Sequence, residues 1–154
     1  MTVSYQIRQE KVQDKHLTVA DARQPQRTAS TMEQQMADQG FLTTHILDTA
    51  RGCPAENVAI DLYRLEGDAR THMTSTTTND DGRTDSPIIP KSELQRGTYE
   101  LVFHIGDYFK GFAPDSDHPF IDVVPIRFGI DDETSHYHVP LLASPFSFST
   151  YRGS

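Results

Sequence analysis

The sequence predicts an all-β sandwich over residues 41–154, preceded by a polar extension over residues 1–40. Three observations predict it. Apolar residues alternate along short runs, clusters of Gly, Pro, Asn and Asp separate those runs, and the composition changes abruptly near residue 40. A chain of 154 residues accommodates one such domain with a tail, and not two full domains.

The extension holds eight of the nine glutamines and only Tyr5 of the aromatic residues. It carries five basic residues (Arg8, Lys11, Lys15, Arg23, Arg27) and five acidic ones (Glu10, Asp14, Asp21, Glu33, Asp38). Its charge is therefore zero, and the whole net charge of -8 lies in residues 41–154. Such a polar, Gln-rich segment buries little and reads as disordered, or as marginal helix that docks only when something else orders it.

From Phe41 the strands follow in order. Residues 41–48 form the first, closed by the turn chemistry of Gly52 and Pro54. In residues 58–65, Val58, Ile60 and Leu62 alternate with Ala59, Asp61 and Tyr63, giving one buried and one wetter face. Residues 72–78 are rich in β-branched Thr and suit a third strand, ended by the strong turn signal Asn79-Asp80-Asp81-Gly82. Residues 98–105 are the fourth, opened by Gly97. Residues 107–111 suit one short helical turn, with Asp107 as its cap and Gly111 as its stop. Residues 120–130, 136–143 and 146–151 complete about seven or eight strands, the pattern of a sandwich.

Composition excludes several functions. With 14 Lys and Arg against 22 Asp and Glu, the chain lacks the polycationic footprint that nucleic acid or an anionic membrane surface requires. It has no run of 18 apolar residues, and the N-terminus lacks the basic and apolar regions of a secretory signal, so an unsecreted chain is expected. The single cysteine, Cys53, rules out an intrachain disulfide framework and sites built from several thiolates. Set between Gly52 and Pro54, it reads as a small packed turn residue rather than a nucleophile. Nucleophile-elbow, P-loop and dinucleotide fingerprints are all missing.

The histidines carry the chemistry. His136 and His138, two apart on a strand, project from one face, and His45 lies within another strand. Three converging imidazoles would suit a zinc ion with an open position for water. The same residues also suit metal-free hydrolysis of a strained amide. Neutral imidazole takes a proton from water and returns it to a leaving nitrogen, and a cation such as Arg83, just after the Asn-Asp-Asp-Gly turn, would assist. The plain alternative is a solvated strand face. Likewise the terminal Tyr151-Arg152-Gly153-Ser154 is either a frayed tip or a flap lining a site. His72, His104 and His118 sit in no motif and are expected to be structural; Arg127 is expected to be exposed, and Asp48 to stabilise its turn.

Four segments in one order carry a resemblance: Leu42-Thr-Thr-His-Ile-Leu-Asp48 with Gly52-Cys-Pro-Ala55, then Thr78-Asn-Asp-Asp-Gly-Arg83, His136-Tyr-His-Val-Pro-Leu-Leu142 and Tyr151-Arg-Gly-Ser154. Together they resemble the 5-hydroxyisourate hydrolase branch of the transthyretin-like proteins across residues 41–154. The resemblance implies an eight-stranded two-sheet sandwich with one short helix. It also implies a homotetramer, a dimer of dimers, with active sites in the channel where dimers face each other. The implied reaction is hydrolytic opening of 5-hydroxyisourate, with no cofactor and no metal. Catalytic positions fall on His45, Arg83, His138 and Ser154, and substrate-binding positions on His45, Arg83, Tyr151 and Arg152. The alternative is a transthyretin-like carrier of a small aromatic hormone without catalysis. The expected compartment is the cytoplasm, with the peroxisome as alternative, because Arg8-Gln9 and His16-Leu17 nearly match an N-terminal peroxisomal address, with six residues between the two pairs, one more than its spacing.

Overall fold

A computed structural model of the chain describes residues 39–112 and 117–153. The expected extension over residues 1–40 lies outside them apart from Gln39 and Gly40, and so does Ser154. The described residues form strands β1 (Phe41–Thr43), β2 (Ile46–Asp48), β3 (Cys53–Pro54), β4 (Ala59–Glu66), β5 (Ala69–Thr77) and β6 (Gly97–Phe103), then helix α1 (Ile105–Phe109), then β7 (Val124–Ile130), β8 (His136–His138), β9 (Leu141–Ser144) and β10 (Ser147–Thr150). No helix among the described residues is long and apolar enough to cross a membrane.

One sheet has the order β5-β4-β6-β7, all antiparallel. The other has the order β10-β9-β2-β3, and β1 pairs with β8 in parallel beside it. The sheets face each other: Leu42, Ile46 and Leu141 from one join Ile60, Leu101 and Phe103 from the other in a single buried cluster. Each such side chain contributes on the order of 1.5–3 kcal/mol when fully buried. The expected sandwich is thus the observed architecture.

Two expected strands are each divided. Residues 41–48 break at Thr44 and His45, and residues 136–143 break at Val139 and Pro140. Pro140 has no N–H to give to the ladder, so the repeat of parallel bonds lapses there. The chains nevertheless stay side by side, because Val139 N–H donates to the Thr43 carbonyl at 3.0 Å and Leu141 N–H to the His45 carbonyl at 2.9 Å. The buried Thr44 hydroxyl closes the gap by donating to the Val139 carbonyl at 2.7 Å.

Helix α1 begins earlier than the sequence suggests. Ile105 and Phe109, one turn apart, are both buried and set its position, whereas Asp107 lies in its first turn and pairs with Lys110 instead of capping. Tertiary burial outweighs the capping preference here. The expected turn role of Asp48 is met: its buried carboxylate accepts from the backbone N–H groups of Ala50 and Arg51, both at 2.9 Å. Arg127 is exposed as expected, but its guanidinium also donates to the buried Glu100 at 3.0 Å.

Candidate active site

Alternation along the first two strands puts Leu42, Thr44, Ile46 and Asp48 in the core and leaves Phe41, Thr43, His45 and Leu47 half-buried on the opposite face. In β8 the same alternation buries Tyr137 and leaves His136 and His138 half-buried. The parallel register sets Phe41 against His136 and Thr43 against His138, so the histidines of both segments share one outer face.

Arg83 reaches that face through a tight turn. Gly82 N–H donates to the Asn79 carbonyl at 2.9 Å, and the Asn79 side-chain oxygen accepts from the N–H groups of Asp81 and Arg83, both at 3.1 Å. The turn is tied to β2 by Ile46 N–H donating to the Gly82 carbonyl at 2.8 Å. Gly82 has a φ of +70°, and a Cβ on it would lie 2.4 Å from the Ile46 carbonyl oxygen, so glycine is required twice over. The result is a backbone bridge between His45 and Arg83.

His138 is held by two contacts. Its Nδ1 lies 2.8 Å from the Thr43 hydroxyl, which is also 2.7 Å from Nε2 of His136. The His136 ring in turn stacks on Phe41 at a centroid distance of 4.1 Å. On the other side the chain end crosses over: Gly153 N–H donates to the His138 carbonyl at 2.9 Å.

The electrostatics favour neutral imidazoles. Burial and the nearby Arg83 guanidinium hold His45 below the ordinary histidine range, against a hydrogen bond to the Asp81 backbone and the Asp81 charge that pull the other way. Burial, then Arg83, His136 and His45, do the same to His138. A neutral ring retains a lone pair able to accept a proton at neutral pH.

His45, Arg83 and His138 therefore lie near one another on one face. Tyr151 is exposed at the chain end, and the Arg152 guanidinium lies 5.0 Å from the centroid of Tyr137, a residue of the opposite, core-facing side of β8. Ser154 is outside the described residues. Thr43 is the residue the sequence reading missed; its only signal was its place two residues before His45 on the same strand face. Among the described residues, no three His, Cys, Asp or Glu side chains form a group fitted to a metal ion, so the zinc arrangement of His45, His136 and His138 is not assembled. A separate cavity of about 460 Å³ lies between α1 and the turn at Arg51, lined by Cys53, His104, Asp107, Tyr108 and Phe112, and includes none of the three site residues.

Comparison with known proteins gives concordant matches. The sequence model described as the HIUase/transthyretin family matches residues 42–153. The 5-hydroxyisourate hydrolase of Deinococcus radiodurans is 58% identical over 113 residues, covering 73% of this chain and 95% of that protein. Among solved structures, the 5-hydroxyisourate hydrolase of Klebsiella pneumoniae superposes with a TM-score of 0.60 at 35% identity, covering 75% of this chain and 99% of that one. An (S)-allantoin synthase superposes with a TM-score of 0.70 at 50% identity over 75% of this chain, which spans only 44% of that protein.

Proposed function

The chain belongs to the HIUase/transthyretin family, and from that premise we propose that it hydrolyses 5-hydroxyisourate, opening the six-membered ring to 2-oxo-4-hydroxy-4-carboxy-5-ureidoimidazoline. The observation that carries this reading is the convergence of two imidazoles biased to the neutral form with one guanidinium on a single face. Water is a poor nucleophile toward an amide carbonyl until a base takes its proton, and an amide nitrogen is a poor leaving group until it receives one. His45 and His138 flank the water and the scissile carbonyl and serve these two ends of the same proton transfer. Arg83, a planar fork of donors that stays charged, orients the anionic substrate and stabilises the oxygen as it gains negative charge.

Tyr151 and Ser154 close the site and offer hydrogen bonds to the substrate, while Arg152 secures the tail through Tyr137. A hormone carrier has no use for two proton-transfer groups beside a fixed cation, which favours hydrolysis over carriage. The working assembly is a homotetramer, a dimer of dimers. It is supported by the edge of β10, unpaired among the described residues, and by Phe148 on that strand and Phe146 beside it, 49% and 66% exposed. The cytoplasm is the proposed compartment, with the peroxisome as the alternative.

The test generates 5-hydroxyisourate in situ with urate oxidase and follows its ultraviolet absorbance with and without the purified protein. Acceleration over spontaneous decay is expected, unaffected by a chelator. His45→Ala and His138→Ala are expected to lower turnover by about 100-fold or more while size-exclusion chromatography shows the assembly unchanged. Decay at the spontaneous rate with the intact protein would reject the hydrolase reading.

A further inference from the structure

The geometry points to Thr43 as a positioning residue that fixes which nitrogen of His138 is free to act as the base, with His136 as the acceptor that makes this possible. The inference rests on the hydrolase reading and extends it. The Thr43 hydroxyl lies within hydrogen-bonding distance of two ring nitrogens at once, Nε2 of His136 at 2.7 Å and Nδ1 of His138 at 2.8 Å. A hydroxyl has one proton to donate and lone pairs with which to accept. When it donates to one ring, the other ring must donate to it, so with both rings uncharged they share one tautomer, either both Nδ1–H or both Nε2–H.

Only one of the two arrangements serves the reaction. If Thr43 donates to His136, then His138 carries its proton on Nδ1, donates it to Thr43, and presents a bare Nε2. In the opposite arrangement His138 Nε2 already carries a proton and accepts none from water. Among the described residues Nε2 of His138 has no hydrogen-bond partner, so it is the nitrogen left for water or substrate. The stack of His136 on Phe41 at 4.1 Å and 16° keeps the accepting ring in place.

The proton count closes. Water gives a proton to His138 Nε2 as its oxygen bonds to the ring carbonyl carbon. The resulting imidazolium holds protons on both nitrogens, with Nδ1–H still donated to Thr43. When the carbon–nitrogen bond breaks, the Nε2 proton passes to the leaving nitrogen, directly or through His45, and His138 returns to its starting tautomer. Thr43 and His136 exchange nothing; they hold the starting tautomer. A hydroxyl does this without adding the negative charge a carboxylate would bring beside Arg83.

The test uses the full chain and three variants. Thr43→Val keeps the β-branched shape and removes the hydroxyl, Thr43→Ser keeps the hydroxyl, and His136→Phe keeps an aromatic ring against Phe41 but removes the acceptor. Thr43→Val and His136→Phe are expected to lower kcat by about 10- to 100-fold with KM changed little, as loss of a partner that orients an active ring does; Thr43→Ser is expected to restore most of it. Nitrogen-15 NMR of the imidazoles at a pH where they are neutral supplies a readout independent of turnover. His138 is expected as the Nδ1–H tautomer in the parent chain and as the Nε2–H tautomer in His136→Phe, where the Thr43 proton has only His138 left to accept it. A parent His138 protonated on Nε2, or a Thr43→Val enzyme with unchanged kcat, would overturn the inference. If the parent protein failed to accelerate hydroxyisourate decay, the hydrolase reading would fall instead, and the tautomer measurement would still decide the role of Thr43.

Discussion

Gly153 lies against the edge of the His138 ring so closely that a Cβ on it would sit 2.5 Å from Cδ2. The same residue donates its N–H to the His138 carbonyl at 2.9 Å, so the chain end is pinned to the backbone and pressed on the ring of one residue. Glycine is needed here for space, not for an unusual backbone. Gly153→Ala must therefore either lift the Gly153 segment from β8 or turn the His138 ring away from Thr43. Activity is expected to fall by about 10- to 100-fold, a displacement of about 1 Å being enough for that, with the thermal midpoint nearly unchanged because the contact lies outside the core. Steady-state turnover alongside calorimetry checks both halves.

The pH dependence follows from the two histidines. Both are held below the ordinary value of 6.5, burial being the first cause and Arg83 the second. The acid limb of kcat/KM is expected at a pH below 6.5. Stability moves in the same sense. At high pH neither folded nor unfolded imidazole is protonated. As pH falls through 6.5 the unfolded rings take up protons while the folded ones resist, so stability declines until the folded rings are also protonated. Denaturation midpoints for the parent and the His45→Ala/His138→Ala double variant, measured from about pH 8 to 5, should converge at the acid end relative to their separation at pH 8.

Arg83 is expected to act twice. Its charge lowers the pKa of both histidines, and in the proposed hydrolysis its donors serve the substrate. Arg83→Gln should therefore lower kcat by about 100-fold, typical for loss of one donor to a developing oxyanion, and also move the acid limb upward toward 6.5. A kcat loss with an unmoved acid limb would leave the guanidinium only its contact with substrate. Gly82→Ala is expected to reproduce the loss with Arg83 intact, because an added Cβ drives the turn off the Ile46 carbonyl.

Much of this arrangement was legible in the sequence, and the exceptions have physical causes. Alternation placed His45, His136 and His138 on strand faces, and Asn79 and Gly82 announced the turn that delivers Arg83. Both follow from local rules of period and turn chemistry. The role of Thr43 was not legible, because it depends on the parallel register that pairs Thr43 with His138, 95 residues away. Period-two alternation says which face a residue occupies but not which strand lies beside it. The divided strands have the same origin: Pro140 was visible, but that it lies opposite the Thr44–His45 gap was not. The position of α1 was set by the burial of Ile105 and Phe109, which a capping rule centred on Asp107 does not see.

The region between α1 and β2 yields a prediction about stability alone. The Asp48 side chain is fully buried and accepts two backbone N–H bonds at 2.9 Å, and its second oxygen accepts the Tyr108 hydroxyl at 3.1 Å. The phenol is held near the carboxylate, and burial first, then the Asp48 charge, push the Tyr108 pKa up to about 12. Removing Tyr108 Oη leaves the carboxylate with its two backbone donors, so Tyr108→Phe is expected to cost about 1.5 kcal/mol, the lower end for a hydrogen bond to a charged group. Removing the carboxylate strands all three donors at once, and Asp48→Ala is expected to cost on the order of 3 kcal/mol or more. The double variant should then cost little more than Asp48→Ala alone, since a phenol without its acceptor keeps only the exposed hydrogen bond it accepts from Arg51 at 3.3 Å. Urea denaturation of the three variants closes this cycle, and strict additivity would mean that Tyr108 stabilises the fold by packing against Phe109 and Phe112 and not through Asp48.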